Sequence, residues 1–188
     1  YGKKDIDDID KLIGDLKSKH DFIIIDTPGN DNILNRHLHY VADTVISPIN
    51  DSFIDVDLLG KVSPDDYKKG VPGVYTAMVW EQKKNKAFKD KKELRWIVVR
   101  NRLSFTDAIN KRNIAVALNA LRKRFGFEVS PGFSDRVIFK ELFLNGLTLL
   151  DIKESKGLIK MNPSMISARQ ELRDFVYSLN LNEIKKEV

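Results

Sequence analysis

The chain has 188 residues, 42% of them hydrophobic and 31% charged, with 32 Lys+Arg against 27 Asp+Glu. That length suits one domain with a sizeable core, and the balance is that of a folded chain, not a disordered one. The lack of cysteine excludes disulfides, thiolate metal sites and cysteine nucleophiles; three histidines are too few for a multi-histidine metal centre; and no apolar run is long enough to cross a bilayer.

The chain opens at Tyr1, without Met, on the charged segment Gly2-Lys-Lys-Asp-Ile-Asp-Asp. No secretory signal is expected there, and the start reads as an internal cut in a longer protein. Ile6, Ile9, Leu12, Ile13 and Leu16 recur at helical spacing and predict an amphipathic helix over 5–19. Phe22-Ile23-Ile24-Ile25 is a β-branched apolar run of the kind found in strands buried on both faces. Thr27-Pro28-Gly29-Asn30 stops it sharply. A helix over 31–40, a second buried strand over 44–49 and a short helix over 51–59 follow.

Residues 61–94 read as an irregular basic insertion, with Pro64, Gly70, Pro72, Gly73 and a run of lysines. Within and just beyond it, residues 82–95 hold seven Lys/Arg against two acids, a surplus equal to the whole-chain net charge of +5. The basic character is therefore local. It reads first as a solvated surface segment and second as contact with an anionic partner. Trp96–Val99 predicts a third strand ending at Arg100-Asn101. Ser104 is placed to cap a long helix reaching Phe125, where Gly126 stops it. A fourth strand over 127–130, a turn at Pro131-Gly132, a helix over 136–143 and a last helix from Pro163 to about Leu179 complete the chain.

Strands alternating with helices predict an α/β fold, a mostly parallel sheet flanked by helices, with 1–188 as a single domain. Such sheets bind ligands beyond the carboxyl ends of their strands, so the residues following each strand carry the chemistry. Asp26 ends the first predicted strand. A carboxylate there can hold Mg²⁺ through its waters, and Gly29 lets a backbone N–H approach a terminal phosphate. Asn101 is either a turn residue or, through an amide offering both donor and acceptor, a reader of a purine edge. His37 and His39 fall on different faces of a helix and do not share a metal, His20 reads as a surface residue, and Trp80 and Trp96 read as core or interface.

Asp21-Phe-Ile-Ile-Ile-Asp-Thr-Pro-Gly29 resembles the Walker B and switch II segment of the ParA/MinD ATPases. The segments 41–60, 98–103, 131–143, 146–151 and 168–173, in this order and spacing, resemble the MipZ-like branch of that family, which positions the division plane. The resemblance covers Asp21 to about Leu181. It implies a P-loop NTPase fold. It also implies that Asp26 is the Mg²⁺-supporting Walker B carboxylate, and that Thr27, Pro28 and Gly29 lie near the γ-phosphate of ATP. By the same resemblance Asn101 contacts the adenine, and Pro131, Gly132 and Phe133 border the base. The departure is a missing N-terminal part: no Gly-x-x-x-x-Gly-Lys-Ser/Thr loop to cradle phosphates occurs in these residues. This chain alone is therefore expected to bind ATP poorly and not to hydrolyse it.

The resemblance also implies an ATP-dependent homodimer that binds DNA without sequence preference, a cytoplasmic, nucleoid-associated location, and ParB-like and FtsZ-like partners, with FtsZ assembly inhibited. The candidate DNA surface is the helix over 106–124. At about 100° per residue, Ile114, Leu118, Leu121 and Phe125 fall within about 60° as a buried stripe. Arg112 and Lys123 lie nearly opposite, and Lys111 and Arg122 lie to one side. Ile109, Asn113 and Ser134 stand where relatives carry further arginines. Two other readings remain open on the residues themselves: a nucleotide-independent DNA- or protein-binding module on the same scaffold, and a metabolic ligase or kinase using the same fold.

Overall fold

Three β-branched or apolar runs form the centre of the fold. In this computed structural model, residues 2–61, 70–104, 108–151 and 162–181 are described. The elements in chain order are α1 (Lys3–Lys17), α2 (Ile33–Val41), β1 (Thr44–Asn50), α3 (Phe53–Leu59), β2 (Gly60–Lys61) and β3 (Val71–Pro72). They continue with α4 (Val74–Asp90), β4 (Arg95–Asn101), α5 (Ala108–Phe125), β5 (Glu128–Ser130), α6 (Val137–Leu144) and α7 (Pro163–Ser178). β1, β4 and β5 pair in parallel in that order, with Thr44 opposite Arg95 and Ile97 opposite Glu128. β2 and β3 make a minimal antiparallel pair. The chain is α/β, a parallel three-stranded sheet flanked by helices, consistent with a P-loop NTPase-like fold.

The sheet's position in the molecule explains its composition. Strand β4 has neighbours on both edges, and Trp96, Ile97, Val98 and Val99 are all buried, as a continuous apolar run requires. Strand β1 has one neighbour among the described residues and alternates instead: Val45, Ser47 and Ile49 are buried, whereas Ile46 is exposed. The main core gathers β1 and β4 with Leu59 of α3, Val79 of α4 and Ile114, Leu118, Leu121 and Phe125 of α5. A smaller cluster joins Ile138 and Leu142 of α6 to Met165 and Ala168 of α7.

Two expectations are corrected. Phe22–Ile25 is not a buried strand: it carries no regular secondary structure, and Phe22, Ile24 and Ile25 are exposed. An apolar run becomes a strand only where a neighbour accepts and donates its backbone hydrogen bonds, and no described strand runs beside it. Nor is 61–94 irregular throughout, because α4 spans seventeen of its residues. The buried face of α4 is formed by Thr76, Met78, Val79, Gln82 and Lys86. Three of those five are polar, which hides the helical period from a hydrophobicity reading. Each polar group is bonded. Thr76 Oγ1 donates to the Leu59 carbonyl at 2.6 Å, and Lys86 Nζ donates to the carbonyls of Ala42 at 2.6 Å and Val41 at 3.2 Å. Lys86 thus closes the carboxyl end of α2. Residues 62–69, and the segment 105–107 that would connect Ser104 to α5 as its cap, lie outside the described residues.

Ile24 is 94% exposed and Ile97 1%. Ile24→Lys should leave the unfolding free energy within about 0.5 kcal/mol of the parent, while Ile97→Ala should lose about 2–5 kcal/mol. Equilibrium urea titration of both variants checks this; comparable losses would restore Phe22–Ile25 to the core.

Candidate nucleotide site at the carboxyl end of the sheet

β1 and β4 end level, Asn50 opposite Asn101. Just beyond, the Asp51 N–H donates to the Asn101 carbonyl at 3.1 Å. The Asp51 carboxylate also pairs with the Arg100 guanidinium, and the two side chains are 6% and 12% exposed. Arg100 reaches the Lys111 carbonyl of α5 at 3.4 Å, while the Asn50 N–H donates to Asp55 of α3 at 2.7 Å. The rim of the sheet is thereby tied to both helices that follow it. Removing either member of the Asp51–Arg100 pair would strand a charge in a dry environment. No motif or apolar period in the sequence marks this pair. Its only signal is two opposite charges standing at neighbouring strand ends.

Asn101 sits at that rim, half-buried, its Oδ1 accepting from the Arg102 N–H at 3.0 Å. Arg102 has φ 53, so the chain turns sharply there. The turn after β5 is fastened against it. The Phe133 N–H donates to the Arg100 carbonyl at 2.8 Å, and the Leu103 N–H donates to the Phe133 carbonyl at 2.9 Å. A Cβ on Gly132 would lie 2.5 Å from the Arg100 carbonyl oxygen, so only glycine allows this approach. Asn101 and Pro131-Gly132-Phe133 are thus brought together, with Pro131 exposed.

Helix α7 holds this turn from behind. Glu171 accepts from Ser134 Oγ at 2.8 Å, the Ser134 N–H at 3.2 Å and Arg136 Nη2 at 2.7 Å. The rings of Phe133 and Phe175 meet with centroids 5.3 Å apart. Arg95 grips Glu128 at 2.5 Å and the Ser178 carbonyl at 2.9 Å, and Ser130 meets Ser178 at 2.5 Å. Burial pushes the Glu171 carboxyl up. The hydrogen bonds from Arg136 and Ser134 outweigh that and hold it below the usual glutamate value.

Asp26 and Gly29 are exposed and Thr27 half-buried. A Cβ on Gly29 would meet nothing within 4 Å. The Pro28 carbonyl accepts from Asn35 Nδ2 at 2.7 Å, which ties the loop to α2. Among the described residues no hydrogen bond joins Asp26–Gly29 to the Asn101 rim, and no group of three metal-ligating side chains occurs. Mg²⁺ on a nucleotide needs no such group: one carboxylate, waters and phosphate oxygens complete its shell. An exposed Asp26 with no described partner fits that donor set.

On α5 the expected stripe is in place. Ile114, Leu118, Leu121 and Phe125 are each 1% exposed, while Arg112, Arg122 and Lys123 face solvent and Lys111 is half-buried. Arg124, which sequence reasoning left out, lies over the Trp80 ring at 6.0 Å. No described helix is long and apolar enough to cross a membrane. A family model described as ATPase MipZ matches residues 2–183 of the chain. No curated protein matches it.

Because the folded Glu171 titrates below the ordinary value of 4.5, it stabilises the α7–turn contact fully above that value. The contribution is lost as pH falls through the lower folded value. Urea stability should therefore drop on acidification below about 4.5, and Glu171→Gln should flatten that part of the profile while lowering stability at pH near 7. An unchanged profile in the variant would count against the clamp.

Proposed function

The chain belongs to the MipZ ATPase family, and from that premise we propose that it contributes the base-binding and DNA-facing surfaces of an ATP-switched dimer that places the division site. The observation that carries this reading is the convergence of Asn101 and the Pro131-Gly132-Phe133 turn at the carboxyl rim of a parallel sheet. This is where α/β folds bind nucleotides.

The residues take these roles. Asn101 offers its amide Nδ2 to the adenine while Arg102 occupies its Oδ1. Gly132 and Phe133 form one wall, kept in place by Glu171 and Phe175. Asp26 would hold Mg²⁺, and Gly29 would present its N–H to the terminal phosphate without a side chain in the way. Bound Mg²⁺ would supply charge neutralisation for the triphosphate. A liganded state that alone buries the dimer face makes ATP a switch.

Once dimerised, the exposed Arg112, Arg122 and Lys123, with Lys111 beside them, contact DNA phosphates without reading sequence. The partners in this proposal are ParB-like and FtsZ-like proteins, and its site of action is the nucleoid in the cytoplasm; the family resemblance is what supports both. Residues 1–188 act as one unit of that ATPase domain.

In the natural protein, Asn101→Ala should weaken ATP binding about tenfold, or ~1.4 kcal/mol, by calorimetry. Arg112→Glu with Lys123→Glu should abolish ATP-dependent DNA retention and leave nucleotide affinity unchanged. Four phosphate contacts per chain set a salt slope of roughly −3.6 for the parent. Undiminished ATP affinity in the first variant removes Asn101 from the base site, and undiminished DNA retention in the second removes α5.

A further inference from the structure

Asn35 stands in the first turn of α2 and is 3% exposed. Its amide nitrogen points back to the loop after Asp26. Nδ2 donates to the Pro28 carbonyl at 2.7 Å and the Asn30 carbonyl at 2.5 Å, with Asn30 Oδ1 at 3.1 Å. The same residue begins a second line of hydrogen bonds running inward. The Asn35 backbone carbonyl meets His39 Nδ1 at 2.7 Å, and His39 Nε2 meets the Tyr75 hydroxyl at 3.2 Å. That hydroxyl meets Ser47 Oγ at 2.7 Å, and Trp96 Nε1 lies 2.9 Å from Ser47 Oγ. The inner end is dry: Ser47 is 5% exposed and Trp96 1%.

The chemistry of the groups sets the direction of this chain. An indole N–H only donates, so Ser47 accepts from Trp96. A backbone carbonyl only accepts, so His39 donates from Nδ1 to Asn35; in that tautomer Nε2 accepts from Tyr75, and the chain runs one way when the Ser47 hydroxyl in turn donates to Tyr75. Every hydrogen is used once. The arrangement requires the Nδ1–H tautomer of His39.

We propose that Asn35 is the positioning residue of the Thr27–Asn30 loop, and that Asn35, His39, Tyr75, Ser47 and Trp96 form a one-way hydrogen-bond relay. The relay links that loop to the middle strand of the sheet. It crosses from α2 through α4 to β1 and β4, so three elements remote from the loop in sequence sense its placement. That the loop's ordering answers to a terminal phosphate rests on the nucleotide reading above. The relay itself rests on the distances alone.

Nitrogen NMR on the chain decides it. In the unsubstituted protein His39 should show the Nδ1–H tautomer; the Nε2–H tautomer overturns the relay, and this measurement needs no variant to fold. Asn35→Ala keeps the backbone carbonyl that His39 meets but releases the loop carbonyls, and through the resulting shift of the first turn of α2 it should move the Trp96 indole resonance. It should leave in place that of Trp80, whose N–H goes to the Phe125 carbonyl at 2.9 Å outside the relay. Tyr75→Phe keeps the ring contacts to His39 at 5.9 Å and Trp96 at 6.1 Å while deleting the hydroxyl link. In that background the Asn35→Ala shift at Trp96 should vanish; a shift that persists is carried by packing, and the relay is wrong. In the natural protein, Mg-ATP that moves the Thr27 and Gly29 amides but not the Trp96 indole also overturns it, with the nucleotide reading intact. Mg-ATP that moves neither counts against the nucleotide reading alone, and the relay is then judged on the tautomer and the variants.

Discussion

β4 exchanges backbone hydrogen bonds along both edges, with β1 on one side and β5 on the other. This double pairing fixes the position of every group at the rim. It holds Asn101 level with Asn50, places the Arg100 carbonyl where the Phe133 N–H and the Gly132 backbone can reach it, and leaves Arg100 and Asp51 side by side. Burial on both faces of β4 supplies much of the driving force, since four consecutive large side chains leave water there. The rim geometry is a by-product of that burial. A site built on such a strand is more exactly placed than one built on a loop alone.

The loop after Asp26 has a different kind of support. It lacks a neighbouring strand among the described residues and depends on side-chain amides, chiefly Asn35, to hold its carbonyls. The two parts of the candidate site are therefore held differently: the Asn101 rim is backed by the sheet and by α7, and the loop after Asp26 is tied to α2. The helix α2 is in turn braced on α4 by Arg36–Glu81 at 2.6 Å, Tyr40–Asp90 at 2.7 Å and the Lys86 cap.

Most of the architecture was legible in the sequence because its signals are apolar and periodic. The runs at 44–49 and 96–99, the stripe Ile114–Leu118–Leu121–Phe125 and the proline opening α7 each state their element locally. The two failures come from non-local causes. Phe22–Ile25 has the composition of a strand, yet strandedness is a property of a pair. Helix α4 buries Thr76, Gln82 and Lys86, whose partners lie elsewhere in the fold, so its period is invisible until those partners are known. Asn101, the Pro131-Gly132 turn and Asp26 could be put forward as candidates from their places after predicted strands and from the family resemblance. The polar fastenings behind them, Asp51–Arg100, Glu171–Ser134–Arg136 and Asn35–His39–Tyr75, could not. Ordinary residue types at long separations carry no mark of being joined.

The capping role of Lys86 divides the lysine-rich window into two chemical populations. Its ammonium is spent on the Val41 and Ala42 carbonyls beneath the surface, whereas Lys84, Lys89, Lys91 and Lys92 stand in water. Amine-directed reagents reach the second group and the half-buried Lys83, but not the buried Lys86, while the protein is folded. Covalent neutralisation of the solvated lysines can thus retune the surface potential of this region without unfastening α2 from α4, which makes the window a place where charge can be edited independently of architecture.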